Sequence, residues 1–108
     1  MTEQFSTRRR FPRIASNHAV LVKKLGSELE EFGLTTTMAR GGCSFLADEA
    51  IGAGSHIEML ITVDGTVVSA RGRIVYENDA EDGRKEIGVE FAGVDDAAAI
   101  ERLLTKSE

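Results

Sequence analysis

The feature that most constrains the fold is the dipeptide Asp64-Gly65, which separates two runs of alternating apolar and polar residues. Asp-Gly is a favoured pair for a two-residue type I′ turn, because both central residues of that turn need positive φ. The run before it spans residues 56–63, with an apolar side chain at every second position, and the return run spans residues 66–76. The sequence therefore predicts an antiparallel hairpin over residues 56–76.

Alternation and turn signals recur on both sides of this hairpin. They predict strands over residues 17–25, 28–37 and 43–46 before it, and over 86–91 after it. Within the return strand we expect one face to hold Ala70, Gly72, Ile74 and Tyr76, with Gly72 marking a bulge or a bend. Six short strands at regular spacing are typical of a mostly β fold, an antiparallel barrel or sandwich.

A short helix is predicted to close the chain. Asp95 is the expected N-cap, and Asp96 suits the positive end of the helix dipole. The apolar stripe at helical spacing consists of Ala97, Ile100, Leu103 and Leu104. Because so short a helix is marginal by itself, we expect it to dock on the sheet.

The sequence offers no pattern that indicates catalysis or metal binding. The only cysteine, Cys43, stands outside any cluster and is expected to be a small buried residue, and the two histidines lack partners at ligand spacing. No phosphate-binding Gly-rich motif is present, and Ser16, Ser44 and Ser55 are interpreted as ordinary turn or strand residues. We expect a non-enzyme without metal or cofactor. The lack of an apolar span or signal segment favours a cytoplasmic location.

The charge of the chain is unevenly distributed. Residues 1–13 carry four arginines against one glutamate, which is +3, while the whole chain carries −5, so the remainder carries −8. A nucleic-acid polymer would be attracted to the first segment and repelled by the rest. This balance argues against general nucleic-acid binding and fits a small anion held at one place.

The four arginines lie within six residues, at Arg8, Arg9, Arg10 and Arg13. Pro12 disfavours a helix here, and in an extended chain Arg9 and Arg13 point the same way. Guanidinium groups bind phosphate through paired hydrogen bonds, so Arg9 and Arg13 form a candidate phosphate clamp. The alternatives are a solvated charged tail and a non-specific binder of anionic surfaces, the latter disfavoured by the acidity of the chain.

The order of these features resembles a PilZ domain. The carriers of the resemblance are the arginine-rich opening, the turn Gly41-Gly42 about 30 residues later, and the closing strand Ile87-Gly88-Val89-Glu90-Phe91. The resemblance covers roughly residues 8–104, with residues 1–7 as a lead-in and 105–108 as a tail. It implies a six-stranded antiparallel barrel with a C-terminal helix, and a binding site for the bacterial second messenger cyclic di-GMP.

The resemblance also implies the ligand contacts. The family's Arg-x-x-x-Arg motif maps onto Arg9 and Arg13, with Arg8 and Arg10 as helpers, and holds phosphates and guanine. A second motif, Asp/Asn-x-Ser-x-x-Gly, meets a guanine edge. It falls on six residues of which Gly42 alone matches. These residues are Thr37, Met38, Ala39, Arg40, Gly41 and Gly42.

The departures at Thr37 and Ala39 remove a carboxylate or amide and a hydroxyl. A threonine hydroxyl accepts hydrogen bonds more weakly than a carboxylate, and alanine offers nothing. Arg40 is a candidate compensating donor. The sequence therefore leaves two functions open: a cyclic di-GMP receptor, or a degenerate domain that acts as an adaptor through protein contacts, with a protein partner in either case.

Overall fold

A computed structural model describes residues 14–106 of the chain. Within this range the secondary structure consists of seven strands, a 3-10 turn at Glu81–Gly83 and one helix. The strands and the helix are β1 (Ile14–Ala15), β2 (Ala19–Lys24), β3 (Glu30–Ala39), β4 (Gly42–Ala47), β5 (His56–Val63), β6 (Thr66–Asp79), β7 (Lys85–Val94) and α1 (Ala97–Lys106).

Strands β2 to β7 close into an antiparallel barrel. The order around the barrel is β3-β2-β5-β6-β7-β4, and β4 pairs back onto β3. Closure removes the free strand edges that an open sheet would expose. The predicted six-stranded antiparallel barrel with a C-terminal helix is confirmed. The two-residue strand β1, which pairs with the end of β3, was not predicted.

The central hairpin forms as the Asp-Gly signal predicts. Strand β5 has the predicted bounds, and Val63 pairs with Thr66 across the turn. Asp64 has φ 51° and Gly65 has φ 79°, so both central residues lie in the left-handed region that a type I′ turn requires. A local sequence signal therefore determines the register of the two strands.

The barrel interior is filled by the alternating apolar residues of the strands. In β5, Ile57, Met59 and Ile61 are fully buried, and Phe45 of β4 is the largest side chain with no exposed surface. Helix α1 adds Ala99, Ile100, Leu103 and Leu104 to the same cluster. The predicted stripe is thus correct except at its first position, because Ala97 is exposed and Ala99 takes the buried place.

The two aspartates before α1 have different roles from those predicted. The Asp96 carboxylate accepts a hydrogen bond from the Ala99 amide at 3.2 Å, the geometry of an N-cap. Asp95 instead accepts from the Ser69 amide at 2.9 Å, and its own amide donates to the Ser69 carbonyl. The prediction of Asp95 as the cap was therefore wrong by one residue, because pairing with β6 fixes Asp95 before the helix begins.

The face predicted for Tyr76 is also wrong. The pairing of β6 with β7 shifts between Ile74 and Tyr76, so Val75 is an extra residue on β6. Ile74 remains buried, but Tyr76 now lies on the same outer side as its partner Gly88, where its ring covers the glycine. A second shift lies between Arg71 and Gly72, where Ala92 of β7 is the extra residue. The irregularity predicted at Gly72 is therefore present, but the bulged strand is β7.

Candidate functional site

The proposed arginine clamp lies outside the described residues. Arg8, Arg9, Arg10 and Arg13 all precede Ile14, where the description begins. Ile14 pairs with Met38 and Ala15 pairs with Thr37, at the end of β3. The described chain therefore starts directly beside the segment on which the second ligand motif was predicted.

That segment forms the tight hairpin between β3 and β4. Thr37 and Ala39 end β3, Gly42 begins β4, and Ala39 pairs with Gly42 across the turn. Thr37 is half-buried, Ala39 is 7% exposed and Arg40 is exposed. The structure thus brings Thr37, Ala39 and Gly42 together at one end of the barrel wall.

Gly42 also has a packing role that needs no ligand. A Cβ built on Gly42 would lie 2.1 Å from the Val89 carbonyl oxygen, far inside van der Waals contact. Its φ lies outside the left-handed region, so close approach of β4 to β7 is what requires glycine here. The match of Gly42 to the motif is therefore explained by packing, whether or not the residue meets a ligand.

A hydroxyl cluster lies beneath the hairpin. The pairing of β3 with β4 shifts between Thr35 and Thr37, so Thr36 and Thr37 both lie against Ser44. The Thr36 and Thr37 hydroxyls are 2.6 Å and 2.7 Å from the Ser44 hydroxyl. The Thr36 hydroxyl also donates to a Glu86 carboxylate oxygen at 3.2 Å. The cluster couples the candidate motif to a carboxylate on β7.

The outer surface next to the cluster consists of small side chains and one aromatic ring. Thr37, Ser44, Gly88 and Tyr76 are aligned across β3, β4, β7 and β6 by strand pairing. A Cβ on Gly88 would overlap the Tyr76 ring, so the ring lies flat over a position without a side chain. Small residues beside a half-buried ring leave room for a flat group to stack.

Charged groups flank this surface on two sides. Arg73 of β6 and Glu90 of β7 form an ion pair at 3.4 Å. Arg40 pairs with Glu101 of α1, with 2.7 Å between Nε and a carboxylate oxygen. The arginine predicted as a compensating donor is therefore already engaged with the helix, and a ligand would have to compete with Glu101 for it.

Four neighbours of the motif were not identified from the sequence. They reach the motif only through strand pairing, and nothing in the sequence links them to it. These residues are Ser44, Glu86, Gly88 and Tyr76. The bulges orient Thr36, Thr37 and Tyr76, but no glycine or proline at those positions marks a bulge in the sequence. An extra residue at a bulge reverses the side-chain direction that the alternating pattern predicts, and only the strand pairing in the structure reveals it.

Three further features of the described chain concern its thiol, its potential metal ligands and its helix. Cys43 is buried, and desolvation raises the pKa of its thiol to about 12, so it remains a neutral thiol. Within residues 14–106 no group of three His, Cys, Asp or Glu side chains is arranged to hold a metal ion. No helix in the same range is long and apolar enough to cross a membrane.

Comparison with known proteins places this architecture among described folds. A family model for the PilZ domain matches residues 7–106. The PilZ domain of YcgR from Escherichia coli with c-di-GMP aligns with a TM-score of 0.67 and 17% identity, over 91% of this chain and 86% of that one. No curated protein sequence matches.

Two longer solved proteins share the same fold. Bacillus subtilis MotI/DgrA, an inhibitor of motility, aligns over 94% of this chain with a TM-score of 0.74 and 14% identity. The MrkH–c-di-GMP complex of K. pneumonia aligns over 91% with a TM-score of 0.70 and 14% identity. The chain spans about half of these two proteins, 54% and 51% of their lengths. At such identities the likeness establishes the fold.

Proposed function

The chain belongs to the PilZ domain family, and from this premise we propose that it is a receptor for cyclic di-GMP. Two similar solved structures, the YcgR PilZ domain and MrkH, are described with c-di-GMP bound. The proposal assigns binding rather than catalysis to the chain, with the dinucleotide as a ligand and not a cofactor. Its downstream partner is proposed to be another protein.

The observation that carries the proposal is the register of β1. Ile14 lies opposite Met38, and the chain runs antiparallel to β3, so the residues before Ile14 are attached at the Thr37–Gly42 hairpin. Consecutive Cα atoms are about 3.8 Å apart, which limits Arg13 to the immediate neighbourhood of this hairpin and Arg9 to within about 20 Å of Ile14. Both arginines are therefore close enough along the chain to reach one ligand at the motif, as the proposal requires.

The chemistry of the two halves is complementary. Arg9 and Arg13 supply cationic forks for the phosphates of a cyclic dinucleotide. The Tyr76 ring supplies a flat surface for a base, and the Thr37 hydroxyl supplies a polar group for a base edge. The acidic remainder of the chain repels long polyanions, which restricts the site to a small anion.

The departures in the second motif weaken this site in the proposal without removing it. A lost hydrogen bond to a charged group costs about 1.5–3 kcal/mol and a lost neutral one about 1 kcal/mol. Each 1.4 kcal/mol is about tenfold in affinity. The combined loss of about 2.5–4 kcal/mol should lower the affinity roughly 60- to 700-fold relative to a site with the full motif, with the arginines supplying most of the remaining attraction.

Calorimetric titration of cyclic di-GMP into the full chain tests the proposal. Saturable binding should disappear in Arg13→Ala and in Arg9→Ala, while Arg71→Ala, an exposed arginine on β6, should bind like the wild type. Thr37→Asp combined with Ala39→Ser should tighten binding. Absence of binding up to about millimolar ligand in the wild type would refute the receptor function.

A second function is favoured by an exposed apolar surface on the barrel. Phe32 is 75% exposed and Leu34 is 49% exposed, both on β3, and Phe32 pairs with the half-buried Leu21 of β2. Contiguous exposed apolar groups are characteristic of protein contact sites. If the chain binds no dinucleotide, it acts as an adaptor through such contacts, and Phe32→Ser would then abolish binding of its protein partner.

A further inference from the structure

The hydroxyl cluster contains as many hydrogen bonds as hydroxyl protons. Each of the three hydroxyl groups, on Thr36, Thr37 and Ser44, has one proton. Each of the three hydrogen bonds needs one of these protons from its donor. The contact between Thr36 and Glu86 has a fixed direction, because a carboxylate only accepts. The direction of the other two contacts follows from it.

The proton count orders the whole chain of bonds. Since Thr36 gives its proton to Glu86, the 2.6 Å contact between Thr36 and Ser44 is supplied by Ser44. Ser44 then has no proton left for Thr37, so the 2.7 Å contact between them is supplied by Thr37. When all three bonds form together, the Thr37 proton points inward to Ser44, and the Thr37 oxygen presents only lone pairs to the outside.

We infer that Glu86, acting through this relay, fixes Thr37 as a hydrogen-bond acceptor and thereby selects guanine over adenine in the bound dinucleotide. The inference rests on the proposed function, since it concerns the base edge of that ligand. Glu86 is a positioning residue in this arrangement. It supplies, from another strand, the acceptor character that a carboxylate at position 37 would have had.

The base chemistry makes the selection specific. The Watson–Crick edge of guanine presents two adjacent N–H donors, at N1 and N2, whereas adenine presents an acceptor at N1 and has its donor at N6. A free threonine hydroxyl rotates to donate or accept, and it would serve either base. Placed at the N1/N2 side of the edge, a hydroxyl whose only proton is committed elsewhere accepts from guanine, but there it meets the N1 lone pair of adenine.

The surroundings keep the relay in place. Ser44, at its centre, is 2% exposed, so water does not compete for its bonds. The Glu86 side chain crosses β4 to reach Thr36 on β3, and among residues 14–106 it forms no ion pair with a lysine or arginine. A charged acceptor at one end of a hydrogen-bond chain strengthens the bonds along it.

The test compares cyclic di-GMP with cyclic di-AMP on the same variants. Thr36→Val keeps the shape of the side chain but removes the relay, so Ser44 is free to donate to Thr37 and Thr37 to donate outward. We expect cyclic di-GMP affinity to fall about three- to tenfold, the range for one neutral hydrogen bond, while cyclic di-AMP affinity stays the same or rises. Thr62→Val, the same change at an exposed position of β5, is the matched control.

Two variants at Glu86 provide a second, independent test of the relay. Glu86→Gln retains an acceptor oxygen and should keep most of the ratio between the two affinities, whereas Glu86→Ala should lose it. Removing the negative charge of Glu86 reduces the repulsion of both anionic nucleotides equally. The ratio of the two affinities is therefore sensitive to the relay and not to the general electrostatic change. Thermal unfolding of each variant establishes that the protein is folded during the titrations.

Each outcome decides a different question. If cyclic di-GMP binds in an Arg13-dependent way and Thr36→Val leaves the ratio unchanged, the relay inference is overturned and the receptor function stands. If the wild type binds neither nucleotide, both proposals fail. A ratio that falls in Thr36→Val and Glu86→Ala, but not in Thr62→Val, supports the relay.

Discussion

Substitution of Gly42 by alanine should destabilise the barrel strongly. The new Cβ would lie 2.1 Å from the Val89 carbonyl oxygen and 3.2 Å from its carbonyl carbon. Ordinary contacts need about 3.5 Å, so the Cβ and the carbonyl oxygen must separate by about 1.4 Å. Because the obstacle is main chain on a neighbouring strand, no side-chain rotation relieves it.

The expected magnitude follows from two costs. Overpacking of this kind costs about 1–3 kcal/mol, and weakening a ladder hydrogen bond between Gly42 and Glu90 or their neighbours costs about 1 kcal/mol. The free energy of unfolding should fall by about 2–4 kcal/mol, which corresponds to a Tm lower by roughly 8–32 °C at about 4–8 °C per kcal/mol for a domain near this size.

Urea and thermal unfolding of the full chain measure this change. Gly93→Ala is the matched control, since Gly93 is likewise a strand glycine, on β7, but nothing stands within 4 Å of its Cβ position. That variant should unfold within about 1 kcal/mol of the wild type. If Gly42→Ala unfolds within about 0.5 kcal/mol of the wild type, the close approach of β4 and β7 is wrong, and so is the packing explanation for this glycine.

Three further changes follow from the structure. Cys43 should resist thiol reagents at pH 8 until the protein unfolds, since burial raises its pKa to about 12; rapid labelling of the folded protein would contradict this. Asp96→Ala should lower the free energy of unfolding by about 1 kcal/mol through loss of the cap on Ala99, and an unchanged urea midpoint would count against the cap. The hydrogen bond from Lys85, and then its charge, lower the pKa of Asp79. The lowered pKa favours folding above the ordinary aspartate value of about 3.9 and this effect is lost as pH falls through the lowered value; an NMR titration should show Asp79 returning to its ordinary range in Lys85→Met.

Much of the barrel follows from local patterns. The type I′ turn at Asp64-Gly65 and the period-two alternation of β5 are set by residues adjacent in sequence. The backbone preferences of these residues and the burial of their side chains therefore favour the same local structure. The direction of the helix stripe at Ile100, Leu103 and Leu104 is local for the same reason.

Errors arose where a neighbouring strand determined the geometry. Asp95 has the composition of an N-cap, but its two hydrogen bonds to Ser69 of β6 hold it outside the helix. Tyr76 belongs by alternation to the interior, but pairing with Gly88 places an extra residue at Val75 and turns the ring outward. Neither effect depends on the residue type alone.

By itself, then, the sequence determined the class of fold, the central hairpin, the helix face and the concentration of arginines before residue 14. Only the tertiary structure decided what surrounds the candidate motif: the Tyr76 ring over Gly88, the pairing of Arg40 with Glu101, and the hydroxyl relay to Glu86. Thr36 and Glu86 are 50 residues apart and on strands that are not consecutive. Strand propensity and alternation act over a few residues, whereas barrel closure and bulges set which distant side chains meet.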